Sequence, residues 1–171
     1  ENNLIYTTRE IKYKKNDYLK GFNVKLTEIL RNSTSRLVNF KTLNYLENII
    51  EYEICHKEGF DEAIFLNEKG HLCEGCTTNI FIVKNNNIYT PKVTCGLLPG
   101  IVRDWVINKF NVIEKEITKD ELLNADEVFL TNSLVGIIKV SSINNISFKC
   151  NISDTIRKVY DTEINGGDNN E

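Results

Sequence analysis

The sequence predicts a mixed α/β domain, a sheet with helices packed against it. Three observations carry that prediction. Short apolar or alternating runs of strand length recur along the chain, other segments repeat apolar residues at helical spacing, and clusters of Gly, Pro and Asn separate the two kinds. With 171 residues, 41% hydrophobic and 26% charged, the chain suits a single domain with a substantial core.

Residues 3–14 and 22–30 alternate apolar and polar side chains and read as two strands, with Asn16-Asp17 and Gly21 breaking between them. Residues 31–39 are polar and form a loop. From about Thr42 to Lys57 the positions Leu43, Leu46, Ile49, Ile50 and Ile54 recur at helical spacing, and Gly59 marks a stop. A short apolar strand at 63–66 leads through the turn Asn67-Glu68-Lys69-Gly70 into the segment around Glu74. Strands at 79–84 and 88–90 flank a turn of three asparagines, Asn85 to Asn87.

Pro99-Gly100 opens a helix from about Ile101 to Lys109, with Val102, Trp105, Val106 and Phe110 on one side. Residues 112–117 read as a strand, and Thr118 with Glu121 fits a capping box for a short helix to Ala125. Strands follow at 128–131, 136–143 and 146–149, and Ser153 starts a last helix toward Glu163. The small, polar stretch 165–171 lacks the apolar surface needed for order and is expected to be a mobile tail behind a domain spanning 1–164.

A net charge of -3, with lysines scattered among acids, argues against a nucleic-acid partner. No apolar run is long enough to cross a bilayer and no leader opens the chain, so no membrane partner and a cytoplasmic location are expected. The absence of methionine suggests the C-terminal part of a longer protein. Five cysteines, an odd number without an export signal, disfavour disulfides and the Asn-x-Ser/Thr triplets at Asn32, Asn145 and Asn151 are not expected to carry sugar. His71, Cys73 and Cys76, with Cys55-His56, raise the alternative of a zinc-binding or purely structural domain. Paired knuckles are missing, however, so no metal is expected and most thiols read as small buried hydrophobes.

The chemistry concentrates in three places. Lys41 stands between a polar loop and an amphipathic helix, with Phe40, Leu43 and Tyr45 as apolar or aromatic neighbours; covalent chemistry at an amine needs such desolvation or a nearby cation. Glu74 lies in Cys73-Glu74-Gly75-Cys76-Thr77-Thr78-Asn79-Ile80-Phe81. In Gly96-Leu97-Leu98-Pro99-Gly100-Ile101-Val102-Arg103 the glycine frees the backbone to approach a ligand, and the amides of Ile101 and Val102 start a helix, a place suited to phosphate.

This combination, over about residues 37–140, resembles the fold type IV, or class IV aminotransferase-like, pyridoxal phosphate enzymes. The resemblance implies a mixed-sheet pseudo-barrel that forms the large cofactor domain, a homodimer, and an N-terminal small domain that this chain lacks. It implies that Lys41 is the catalytic residue and binds pyridoxal 5'-phosphate covalently, that Glu74 pairs with the ring nitrogen, that Leu98 packs on the ring, and that Ile101, Val102 and Ser133 hold the phosphate. Asn79 would orient the loop that carries Glu74, and Tyr45 could reach the ring oxygen. Lys41-Thr42-Leu43-Asn44-Tyr45-Leu46-Glu47-Asn48, with Thr90-Pro91, is most similar to 4-amino-4-deoxychorismate lyase, which makes 4-aminobenzoate and pyruvate from an amino substrate in folate biosynthesis. The alternative is a branched-chain or D-amino acid aminotransferase.

Overall fold

The computed structural model describes residues 6–8, 10, 13–164 and 166. Its strands are β1 (Phe22–Arg31), β2 (Glu62–Asn67), β3 (Leu72–Gly75), β4 (Asn79–Lys84), β5 (Asn87–Pro91), β6 (Val112–Lys115), β7 (Glu127–Asn132), β8 (Gly136–Ile143) and β9 (Ile146–Ser147). The helices are α1 (Lys15–Lys20), α2 (Leu46–Lys57), α3 (Ile101–Lys109), α4 (Lys119–Leu123) and α5 (Asn151–Ile164). The described strands form one mixed sheet in the order β3-β2-β1-β8-β7-β4-β5-β6, with β9 beside β8. β1 runs parallel to both β2 and β8, β5 runs parallel to β6, and the remaining pairs are antiparallel.

The sheet curls until its two ends meet. His71, just before β3, bridges Thr118, just after β6, and the Leu72 amide donates to the Ile117 carbonyl at 2.7 Å. That contact makes a pseudo-barrel of the expected class. Alternation along the central strands fills both faces. In β4, Ile80 and Ile82 join Val24, Leu130 and Ile138 in one cluster, while Phe81 and Val83 join Val102, Val106 and Ile156 in another, under α3 and α5. Phe81 pairs across the ladder with Phe129, and their rings stack 4.7 Å apart. A third cluster of Cys55, Ala63, Phe65, Cys73 and Cys76 lies beneath α2.

Local signals place most elements where the sequence predicts them. Asn85 and Asn86 take positive φ, 50° and 63°, in the turn that joins β4 to β5. Thr118 and Glu121 form the capping box of α4. The N-terminus of α5 is held by a distant residue: the buried Glu127 carboxylate accepts the Asn151, Ile152 and Ser153 amides and the Ser153 hydroxyl, all at 2.9–3.0 Å.

Two expectations change. Residues 15–20 form α1 where only a short connection between two strands was expected, because Asp17 accepts the Lys14 amide and caps the turn. The helix expected from Thr42 begins at Leu46, after a turn in which the Thr42 hydroxyl accepts the Asn44 amide. Much of the strand expected over 3–14, and the expected tail apart from Gly166, lies outside the described residues.

Candidate functional site

A cavity of about 330 Å³ opens between the end of β1, the segment 32–45, the start of α2, β3 and the loop before α3; Arg31, Lys41, Tyr45, Asn48, Glu74 and Leu98 are among its lining residues. The structure thereby brings three of the expected site residues, Lys41, Glu74 and Leu98, into one wall. Lys41 is exposed, with Nζ 5.8 Å from the centroid of the Tyr45 ring. The apolar enclosure expected around it is open in this chain: Phe40 lines the cavity but is itself largely exposed, and Leu43 is fully exposed.

Glu74 is buried on β3. Its Oε2 accepts the Leu98 amide at 3.0 Å, and its Oε1 lies 3.8 Å from Arg31 Nη2 and accepts no hydrogen bond among the described residues. Burial pushes its proton affinity up, to a pKa of about 7, against the opposing pull of the Leu98 amide, Arg31 and Lys41, with Glu62 pushing in the same direction as burial. A carboxylate with one oxygen anchored and the other unsatisfied is prepared to accept a proton or a hydrogen bond from a group in the cavity.

The loop after Glu74 is organised by Glu62, at the first position of β2. Its carboxylate accepts the Ala63, Cys76 and Thr77 amides, each at 3.1 Å, and the Thr77 and Thr78 hydroxyls at 2.7 and 3.2 Å. Gly75 is required there, since an added Cβ would stand 2.3 Å from Thr78 Oγ1 and 3.1 Å from the Glu62 side chain. The Cys76 carbonyl then accepts both the Tyr45 hydroxyl and Asn48 Nδ2. Tyr45 is thus committed to the loop; burial, reinforced by Glu74 and Glu62, pushes its pKa to about 12.

Asn79 does its work on a different segment from the one expected. Its Nδ2 donates to the Leu98 carbonyl at 2.8 Å, and its Oδ1 would meet a Cβ added to Gly100 at 2.3 Å, so it fixes the loop entering α3 rather than the loop after Glu74. Gly100 begins α3 with no side-chain cap. Ile101 is exposed and Val102 packs its side chain into the core; neither lines the cavity, and their main-chain amides belong to the first turn of α3, where no intrahelical acceptor is available. Ser133 is exposed in the β7–β8 turn and does not line the cavity. That turn is tied to the Glu74 loop through Asn132 Nδ2, which donates to the Thr77 carbonyl at 3.2 Å.

Among the described residues no three His, Cys, Asp or Glu side chains gather as a metal site requires. Cys55, Cys73, Cys76 and Cys95 are buried and free, as expected of small hydrophobes, and burial raises the pKa of each. No described helix is long and apolar enough to cross a membrane.

Two site residues escape the sequence reading. The pairing of β1 with β2 shifts register between Leu26 and Leu30, so Arg31 turns inward while Leu30 is exposed. Simple alternation from the buried Phe22 and Val24 would put Arg31 outside. Glu62 precedes the apolar run that marks β2 and looks like an exposed turn acid; apart from the adjacent Ala63 amide, its donors lie 14 to 16 residues away, where no local signal identifies them.

Comparison with known proteins follows the same line. The family model described as Amino-transferase class IV matches residues 1–143. D-alanine aminotransferase of Bacillus licheniformis is 40% identical over 111 residues, covering 62% of this chain and 39% of that protein. Aminodeoxychorismate lyase of Bacillus subtilis is 31% identical over 148 residues, covering 82% of this chain and 50% of that one. A crystal structure from Legionella pneumophila, provisionally assigned as a 4-amino-4-deoxychorismate lyase, is 37% identical, with a TM-score of 0.80 over 84% of this chain and 56% of its own. The chain therefore spans half or less of the length of these two curated relatives.

Proposed function

Because this chain belongs to the class IV aminotransferase family, we propose that residues 1–164 are the large, cofactor-binding domain of a pyridoxal 5'-phosphate enzyme. The observation that carries the proposal is the shared cavity wall of Lys41, Glu74 and Leu98, in which Glu74 Oε1 remains without a hydrogen bond. The donor set fits the cofactor: an amine, a carboxylate oxygen open to the cavity and a glycine-opened helix start are the groups that its aldehyde, ring nitrogen and phosphate call for.

Bound there, pyridoxal phosphate supplies an electron-withdrawing ring that stabilises negative charge at the carbon next to a substrate's amine. Lys41 Nζ would hold the cofactor covalently until a substrate amine takes its place, and the amine so freed would be the general base that moves the proton from that carbon. Glu74 Oε1 holds a proton on the ring nitrogen. Leu98 would pack on the ring, and the phosphate would be held by the Ile101 and Val102 amides, with the Ser133 hydroxyl reaching it from the exposed β7–β8 turn rather than from the cavity lining. Borohydride reduction of the loaded full-length protein, followed by peptide mapping, is expected to place the label on Lys41. A label on another lysine removes the assignment.

For the complete protein the reading is a homodimeric 4-amino-4-deoxychorismate lyase that releases 4-aminobenzoate and pyruvate. The Lys41 to Asn48 segment and the 37% identity to the Legionella protein support it. The second reading, an amino-acid transaminase, is favoured by the 40% identity to D-alanine aminotransferase. Only the lyase turns over without a keto-acid acceptor. Formation of pyruvate and 4-aminobenzoate from aminodeoxychorismate alone is the expected result; an inert substrate alongside rapid amino exchange with a keto acid replaces the lyase by the transaminase.

A further inference from the structure

Arg31 is buried, and its guanidinium is held on several sides. It stacks 4.1 Å from the centroid of the Phe65 ring, and Nη1 donates to Asn48 Oδ1 at 3.0 Å. Nη2 lies 3.8 Å from Glu74 Oε1, and both Nε and Nη2 are buried without a hydrogen bond. A buried guanidinium with unused donors is poor design for stability alone, because it gives up hydration that it does not regain. What Phe65 and Asn48 hold in place is a positive charge beside Glu74.

The groups facing Glu74 narrow its source of counter-charge. Lys41 and Tyr45 face it from the segment entering α2, Glu62 from β2, the Leu98 amide from the loop before α3, and Cys73 adjoins it on β3. Glu47 on α2 draws on the same guanidinium, at 3.4 Å from Nη1. The two cations in this set are Arg31 and Lys41. Lys41 is exposed, where water screens its charge, whereas Arg31 shares the low-dielectric interior with Glu74.

We infer that Arg31 is a positioning residue that acts through Glu74, opposing its protonation in its buried place so that it pairs with a protonated ring nitrogen. The inference rests on the role proposed for Glu74 and adds the group that sets its charge. It accords with the opposition between burial, which favours the neutral acid, and the Arg31 charge, which favours the carboxylate.

The test uses the full-length protein without cofactor. The Glu74 carboxyl is followed by ¹³C NMR across pH and assigned by its loss in Glu74→Gln. Removing the opposite charge in Arg31→Met is expected to raise the Glu74 midpoint by about 1–3 pH units, with Arg31→Lys restoring most of the wild-type value. Should the Met variant not fold, Arg31→Gln gives the same comparison with a polar side chain. An unchanged midpoint in the neutral variant, or a Lys variant displaced as far as the neutral one, overturns the inference. Because no cofactor is needed, a raised midpoint without label at Lys41 supports the Arg31–Glu74 pair while removing the proposed function. An unchanged midpoint with Lys41 labelled removes the inference alone.

Discussion

Two buried glutamates on neighbouring strands, Glu62 on β2 and Glu74 on β3, are finished in opposite ways. Glu62 accepts five hydrogen bonds from its own chain, so both oxygens are saturated and the loop Cys76–Thr78 has one place to go. Glu74 accepts one, from Leu98, and leaves Oε1 at a cavity wall beside an arginine that is itself under-bonded. Burial raises the proton affinity of both carboxyls; at Glu62 the chain's own hydroxyls and amides oppose it, whereas at Glu74 the opposition comes from one amide and charged neighbours. The contrast separates two uses of a buried acid: one whose bonds are all internal builds the fold, and one with an oxygen open to a cavity keeps the capacity to bind there.

The largest expected effect breaks the open side of this comparison. Glu74→Gln in the loaded full-length enzyme keeps the side chain's shape and removes its charge, and turnover should fall about 10²–10³-fold, the usual loss when one preorganised electrostatic group is removed. Steady-state rates at saturating cofactor check it. Equal rates would place Glu74 with Glu62 as a purely structural acid.

Next in size is a pH effect on stability. Unfolded, Glu74 loses its proton near its ordinary 4.5, whereas folded it keeps it to about 7. Between those values the folded state binds more protons, so its stability falls as pH rises. The contribution is fully present below 4.5 and gone above 7, and amounts to up to about 3 kcal/mol. Denaturant unfolding at pH 4.5 and 8 should show wild type losing stability relative to Glu74→Gln across that window.

On the closed side, Glu62→Gln replaces an accepting oxygen by an amide nitrogen that faces N–H and O–H donors, and should lower stability by about 1–3 kcal/mol at neutral pH. Chemical denaturation measures this loss, and a neutral result would show that the loop finds its geometry without the clamp. The smallest effect is local: Thr118→Ala removes the capping box of α4 and should cost about 1 kcal/mol, read as a lower melting temperature with the site unchanged.

What the sequence determined by itself is local. The asparagine turn between β4 and β5, the capping box of α4 and the helix opening at Gly100 depend on residues within a few positions of one another, where propensity and capping chemistry act directly. Tertiary structure decided the rest. A register shift in β1 turned Arg31 inward against its alternation, Glu62 found its donors across the β2–β3 pair, and Tyr45 spent its hydroxyl on the Cys76 carbonyl rather than on the cavity. Even Glu127, which caps α5, lies 24 to 26 residues from the amides it accepts. The physical reason is common to all four: strand parity and the partners of a buried charge are set by long-range pairing, and a one-residue shift in that pairing exchanges inside for outside without changing a letter of the local sequence.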